Sequence, residues 1–258
     1  MSTPARAGLN DPGEDATARI VQGGALHVSR SASTSSHAHY AWKVHVGLDA
    51  PVWYRSREQA IDGASVLLVP PGVEHSTGAV GWSCAFFLRP GTHGTPWRAT
   101  PAAAVVLGGA PAQRLVALAR DLHERPRDTT ADGITAVAAL CAAELSGPRA
   151  IDARVEVALE RLRQDPDLPL PALARAAGLS LDRLSRLVSQ GTGMHLRRLA
   201  LWSRLLHSLS EGGEHASVAR AAYAAGFADH AHLTRTYRRM LGRAPSEFRA
   251  PPDVVRHW

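Results

Sequence analysis

The feature that most constrains this chain is an internal repeat near its C-terminus. Leu184-Ser185-Arg186-Leu187-Val188, followed after four residues by Gly193, recurs as Leu233-Thr234-Arg235-Thr236-Tyr237 with Gly242 at the same distance. Upstream, Ala177-Gly178-Leu179 recurs as Ala225-Gly226-Phe227, with one additional residue in the second copy. Two copies are too few to stack into a solenoid, so each must close a small core of its own. In the first, Leu173, Ala174 and Ala177 form an apolar stripe at helical spacing. Gly178 supplies a left-handed turn residue at low steric cost, and Ser180 is a good N-cap for a helix that buries Leu184, Leu187 and Val188. In the second, Val218, Ala222 and Ala225 lead, Gly226 turns and Asp229 caps. Leu233, Tyr237 and Leu241 face inward. Two helices joined by a short turn containing glycine make a helix-turn-helix unit.

The faces left exposed suit nucleic acid. They carry Asp182, Arg183, Ser185, Arg186 and Gln190 on the first capped helix, and His230, Ala231, His232, Thr234, Arg235, Arg238 and Arg239 on the second. Arginine pairs bidentately with guanine, hydroxyls serve bases or phosphates, and alanine can touch a thymine methyl. Asp182 can accept from cytosine N4 but repels phosphate. Charge agrees: residues 1–150 hold 13 basic and 12 acidic side chains, whereas 151–258 hold 16 arginines against 11 acids. The excess therefore sits in the half that would meet phosphates. A helix from Met194 to Leu209 joins the copies and spans roughly 25 Å at 1.5 Å per residue. Such a spacer can set two recognition helices in successive major grooves, about 34 Å apart on one DNA face.

The stretch from Leu168 to Phe248 resembles the double helix-turn-helix domain of the AraC/XylS regulators. The matching pieces are Leu173-Ala174, Ala177-Gly178-Leu179-Ser180, Leu184-Ser185-Arg186, Gly193, and Arg204-Leu205 in the connecting helix. They continue with Ala222, Gly226-Phe227, Leu233 to Tyr237, Gly242 and Ala244-Pro245-Ser246. The resemblance implies a transcription regulator bound to double-stranded DNA, with Asp182, Ser185, Arg186, His230, Ala231, Thr234 and Arg235 at base-reading positions. Arg183 and Arg238 join them as cationic contacts. Arg186 and Arg235 can alternatively serve as structural arginines bonded to the domain's own backbone or acids. Val188 stands where an aromatic is usual, and Asp182 where a larger reader is common, which leaves the target sequence open.

Upstream the period changes. Residues 1–18 are rich in Pro, Gly, Asp and Thr and are expected to be disordered. Over 19–95, Trp42, Val44, Val46 and Leu48 alternate with Lys43, His45 and Gly47, while Ser65–Val69 and Trp82–Leu88 are short apolar runs stopped by Pro and Gly. Short strands at this spacing predict a sandwich or barrel. From about 112, Leu115, Leu118, Ala119 and Leu122, then Ile134, Val137, Ala138, Cys141 and Leu145, repeat at helical spacing. These two helices are expected to pack on the barrel, relay its state or pair with another subunit. Cys84 and Cys141 lie in apolar runs and read as small buried hydrophobes. With no apolar N-terminal leader and no span long enough for a bilayer, the expectation is a cytoplasmic, nucleoid-associated protein without membrane contact.

His37-Ala38-His39 and Pro70-Pro71-Gly72-Val73-Glu74-His75 resemble the two motifs of a cupin barrel. Metal cupins place a carboxylate four residues after the second histidine, and here that position is Lys43, an ammonium that repels a cation. No metal or other cofactor is therefore expected. If one strand runs straight through 37–45, then His37, His39, Lys43 and His45 project to one side and Trp42, Val44 and Val46 to the other. With His75 they would line a lumen suited to a small anionic or hydrogen-bonding effector, with Trp53, Trp82 and Phe86 as apolar walls.

The expected architecture is α+β and multidomain. Residues 1–18 form the tail, 19–95 a cupin-like sensor barrel, 96–150 a helical connector with dimerisation as one role, 151–250 the all-α double helix-turn-helix domain, and 251–258 a second tail. The function expected is that of a non-enzymatic, effector-responsive regulator, with RNA polymerase and a second copy of the chain as further partners. The alternative is a metal-dependent cupin enzyme fused to a DNA-binding module.

Overall fold

In a computed structural model the described residues are 16–21, 24–89, 103–124, 130–144, 151–211, 222–223 and 225–245. Among these residues the N-terminal half shows nine strands: β1 (Ala16–Val21), β2 (Gly24–Arg30), β3 (Trp42–Gly47), β4 (Val52–Ser56), β5 (Ala60–Ala64), β6 (Val66–Val69), β7 (His75–Ala79), β8 (Trp82–Leu88) and β9 (Val105–Leu107). Their pairing is antiparallel and makes two sheets, a larger one ordered β1-β2-β8-β3-β6-β9 and a smaller one ordered β5-β4-β7. Among the described residues hydrogen bonding thus gives two sheets whose inner faces pack on one another. Part of the sequence expected to be disordered is ordered: Ala16–Ala18 open β1 and pair with His27–Ser29. Residues 1–15 lie outside the described residues.

Strand parity decides which side chain faces which layer. In the large sheet Val44 pairs with Phe86 and Leu68, while Lys43 pairs with Phe87 and Val69. The even positions Trp42, Val44, Val46, Cys84, Phe86 and Leu88 share a core with α1 (Gly109–Glu124) and α2 (Thr130–Glu144). Leu115, Ala119, Leu122, Ile134, Val137 and Cys141 supply the helical side of that core. The expected connector is thus a layer of the N-terminal domain: α1 lies over β3 and β6, and α2 over β1, β2 and β8. It also contains β9, which adds to the sheet edge beside β6. Both cysteines are buried in this core, and burial pushes the Cys84 thiol up to about 12.

The opposite, inner face of the large sheet is covered in two halves. Leu67 and Val69 pack with Val52 and Tyr54 of the small sheet. Ala25, Ala85 and Phe87 pack with Trp202, Leu205 and Leu206 of the C-terminal domain. β6, and β8 from Cys84 onward, are continuous apolar runs because apolar layers cover both of their faces.

The C-terminal domain contains α3 (Ala153–Gln164), α4 (Leu170–Ala176), α5 (Leu181–Thr192), α6 (Leu196–Glu211) and α7 (His230–Leu241). The connecting helix α6 presents one end to each unit. Leu196, Leu199 and Ala200 complete the core of α3, α4 and α5, whereas Trp202, Leu205 and Leu206 pack with Leu233, Tyr237 and Met240 of α7. No helix among the described residues is long and apolar enough to cross a membrane.

Candidate functional site: a paired nucleic-acid interface above a buried histidine cluster

Both repeat units close as their sequences dictate. Gly178 and Gly226 adopt φ 66° and 64° in the two turns. The Ser180 hydroxyl accepts from the Arg183 amide, and Asp229 Oδ1 accepts from the His232 amide at 2.6 Å. That amide holds the Asp229 carboxyl below the usual carboxylate range. Gly193 and Gly242 end the two recognition helices at φ 71° and 70°, a left-handed cap that favours glycine. Only Ala222 and Tyr223 of the second leading helix are described, and Val218 lies outside the described residues.

Leu184 and Val188 are buried on α5, as are Leu233, Tyr237 and Leu241 on α7, whereas Leu187 is only half-buried. The opposite faces meet solvent. Asp182, Arg183 and Arg186 are exposed on α5 with Ser185 half-buried, and His230, Ala231, Arg235 and Arg238 are exposed on α7 with Thr234 half-buried. Neither Arg186 nor Arg235 makes a hydrogen bond or ion pair among the described residues, so both guanidinium groups are presented outward. Tyr237 supplies the buried aromatic that Val188 replaces in the first unit, and its hydroxyl meets Ser208 Oγ at 3.1 Å.

The turn of the second unit rests on the first. A Cβ on Gly226 would stand 2.0 Å from Asp167 Oδ1, and Asp167 pairs with Arg204 of α6 at 3.5 Å. A Cβ on Gly178 would meet open space. Gly178→Ala is therefore expected to cost only the left-handed strain, about 1–2 kcal/mol, while Gly226→Ala costs more because Asp167 must leave Arg204. Urea denaturation of both variants checks the order; equal losses would remove the link between the two units.

Beneath this domain lie the polar residues expected of the sensor. His37, His39, Lys43, His45 and His75 are all buried. No single strand runs through 37–45: β3 starts at Trp42, and His37 instead forms an isolated antiparallel bridge with His75. That bridge and the bend after it bring three rings together, with centroids 4.3 Å apart for His37–His75, 4.8 Å for His39–His75 and 5.7 Å for His37–His39. Each ring donates Nδ1–H to a main-chain carbonyl, His37 to Ser35 at 2.9 Å, His39 to Ala41 at 2.7 Å and His75 to Val73 at 2.8 Å. Burial holds all three imidazoles well below their ordinary value, His75 at about 3.

Lys43 Nζ donates to Thr77 Oγ1 at 2.5 Å and lies 5.9 Å from the centre of the Phe87 ring. Burial, then the charge of Arg243, brings the Lys43 ammonium down to about 7. His45 stands farther along β3, with Nε2 3.3 Å from Ser83 Oγ. The expected aromatic walls are misplaced by parity and by sheet: Phe86 and Trp82 face the helices, and Trp53 lies against Gly78. Phe87, Tyr54 and Trp202 take that role instead, with Tyr54 stacked on His75 at 5.5 Å and Phe87 edge-on to His39 at 5.5 Å. Phe87 was hidden in a run that is apolar on both faces. His27, alternating with Leu26 and Val28, was legible in principle as another inward polar side chain.

The two domains meet at this cluster. The Ala38 amide donates to the Arg239 carbonyl at 2.8 Å, Ser35 N and Oγ both donate to the Gly242 carbonyl, and Arg243 donates to the Ser33 carbonyl at 2.9 Å. The first three of these bonds occupy carbonyls at the C-terminal end of α7 that no helical amide can reach. A separate open cleft of about 590 Å³, lined by Leu107, Ala112, Val116 and Arg120, lies between β9 and α1, away from the histidines.

A family profile described as a helix-turn-helix domain matches residues 173–251. No curated protein sequence matches the chain significantly. Among solved structures, a variant of apo ToxT from Vibrio cholerae is 12% identical with a TM-score of 0.58, over 89% of this chain and 98% of that one. Wild-type ToxT of the same organism with a bound unsaturated fatty acid is 13% identical with a TM-score of 0.57, over 91% of this chain and 96% of that one. At such identities the likeness is one of fold. A sheet-rich N-terminal domain thus precedes a C-terminal helix-turn-helix domain, in the two-domain fold that ToxT also has.

Proposed function

We propose that this chain is a sequence-specific DNA-binding transcription regulator whose N-terminal domain takes a small anionic effector. The carrying observation is the pair of capped helices with Arg186 and Arg235 exposed and uncommitted among the described residues. Asp182, Ser185 and Arg186 on α5 and His230, Ala231, Thr234 and Arg235 on α7 face base edges. Arg183 and Arg238 face phosphates. α6, with 16 residues, spans about 24 Å and spaces the two helices for successive major grooves.

The effector reading rests on the sign of the charges. Lys43 comes from β3 and Arg243 from beyond α7, and each faces a buried interior where His37, His39, His45 and His75 are also held. An anion would relieve the repulsion between the two cations and accept charge-assisted hydrogen bonds from them. ToxT crystallised with a fatty acid gives the precedent of a carboxylate ligand in a protein of this fold. Because Lys43 and Arg243 belong to different domains, an anion between them would favour one domain arrangement over another, which is what effector control requires. A second copy of the chain would meet the outer faces of α1 and α2.

Selection of fragmented genomic DNA by the purified full chain at physiological salt tests the reading. Enrichment of a few sites with two elements about one helical turn apart is expected. On such a site Arg235→Ala is expected to cost about 1–3 kcal/mol, roughly 5- to 150-fold in affinity. An equal loss on all sequences would reassign Arg235 to phosphate, and no enrichment with or without added fatty acid would overturn the regulator reading.

A further inference from the structure

We propose that the cleft between β9 and α1 is a binding site for a small amphipathic anion, a carboxylate with an elongated apolar body, separate from the interior that holds Lys43 and the histidines. The cleft measures about 590 Å³, within the range of about 300–1,000 Å³ that small-molecule sites occupy. Its width follows from the sequence. β9 ends at Leu107, and Gly108 and Gly109 follow where α1 begins. A Cβ on Gly108 would meet nothing within 4 Å, and one on Gly109 only Pro111 Cδ at 4.0 Å. Ala112 and Ala117 are the next small residues along the same wall. Sheet edge and helix are thus separated by residues too small to fill the space between them.

The lining carries an apolar strip and one charge. Ala112, Val116 and Arg120 stand four residues apart and share one row of α1, about 12 Å long at 1.5 Å per residue. Leu107 and Ala112 are buried and Val116 is half-buried, which gives the strip an apolar floor. Arg120 closes the row. One of its terminal nitrogens donates to the Leu48 carbonyl at 2.8 Å, which anchors the guanidinium beside the cleft. Among the described residues that is its only hydrogen bond, and no carboxylate pairs with it. A guanidinium has five N–H donors, so most of them remain for a ligand. No acidic side chain is among the lining residues, and Ser65 and Gln113 add only neutral polar groups.

This pattern selects the ligand. An oriented guanidinium with free donors takes a carboxylate through charge-assisted, often paired, hydrogen bonds. It repels a cation. A wholly polar anion would leave the strip from Leu107 to Val116 in water, whereas an apolar body laid along that strip removes it from water. A carboxylate head at Arg120 with its body along Val116 and Ala112 satisfies both requirements. The cleft belongs to the outer layer of the large sheet: α1 covers β3 and β6 on the side to which Val44 and Val46 point, opposite Lys43. The site therefore does not depend on the effector reading above.

The test uses the full chain and decanoate carrying a diazirine, cross-linked in light and located by peptide mass spectrometry. Label on the segment Val105–Arg120 is expected, and affinity is read as the plain decanoate that halves it. Arg120→Gln should weaken that competition at least about tenfold, the worth of a charge-assisted hydrogen bond. Decanol, which lacks the charge, should compete more weakly than decanoate by a similar factor. Ala117→Trp, at an exposed position of the wall, should abolish the label by filling the cleft, and Gln113→Trp serves if that variant fails to fold. Arg114→Gln, exposed on α1 but outside the cleft, should change nothing, which separates a positioned guanidinium from general surface charge. Label confined to peptides that bear Lys43 or Phe87 would overturn the site and leave the effector reading standing. Label on Val105–Arg120 that survives both Arg120→Gln and Ala117→Trp would also overturn it. Absence of label together with a changed sedimentation coefficient in Ala117→Trp would assign the cleft to a contact between copies and overturn the ligand. DNA selection that fails while the cleft is labelled as expected sinks only the regulator reading.

Discussion

Replacing Trp202 with alanine is expected to cost about 3–5 kcal/mol of stability, the range for removing a large, fully buried aromatic side chain. Trp202 is 1% exposed and belongs to one core with Ala25, Ala85 and Phe87 of the large sheet and with Leu233, Tyr237 and Met240 of the C-terminal domain. Its ring lies 5.7 Å from that of Phe87, centre to centre. No neighbouring segment can collapse into the gap, because one wall is a strand and the other two are helices. The loss is therefore shared by both domains, and both should unfold earlier in urea. Trp202→Phe separates packing from polarity. The indole Nε1 is buried with no hydrogen-bond partner among the described residues, so phenylalanine removes an unsatisfied donor while keeping most of the contact area. A much smaller loss is expected for phenylalanine than for alanine. A loss under about 1 kcal/mol for alanine would show that the two domains do not share this core.

Acidification to pH 5 is expected to destabilise the chain by about 2 kcal/mol through the half-buried His27, with a further loss from the buried His45. Burial, helped by Arg243 and Lys43, lowers His27 from 6.5 to about 3 in the folded chain. Burial, with Lys43, His27 and His75 facing it, holds His45 well below the same value. A base whose folded pKa is depressed leaves the unfolded chain with more protons bound throughout the interval between the two values. The stability is thus fully present above pH 6.5 and is lost as the pH falls toward about 3. Urea midpoints in chelator at pH 7.5 and pH 5.0 read the effect, and His27→Asn should flatten the slope by one proton. An unchanged midpoint between those pH values would show that these rings are solvated.

The helical half was the more legible because its determinants are local. Ser180 and Asp229 cap, Gly178 and Gly226 turn, and Gly193 and Gly242 terminate the helices, each through a bond or dihedral angle set within a few residues. The exposed readers follow from the same 3.6-residue period, so Arg186 and Arg235 were identified together with the helices that carry them. The sheet half was legible only in part. Period two in Trp42–Gly47 placed the inward and outward sets of β3, but β8 is apolar at every position except Ser83, and its parity was invisible. That is why Phe86 and Trp82 were assigned to the interior while Phe87 holds the place. His37, His39 and His75 could be grouped by their motifs, although the straight strand expected to carry His37 and His39 together with Lys43 and His45 does not form.

By itself the sequence determined two tandem capped helix pairs, the basic excess beside them, and a strand-rich segment that sets histidines and one lysine apart from its apolar face. Those properties depend on neighbours within about one helical turn or on alternation along one strand, where backbone geometry is a small menu. Only the tertiary structure decided that α1 and α2 belong to the N-terminal core, that the C-terminal domain covers half of the inner sheet, and that Gly242 rests on His37. Those contacts join residues as far apart as Ser35 and Gly242. They are set by which apolar faces remain uncovered once each local unit has formed, a quantity of the whole surface that no stretch of sequence contains.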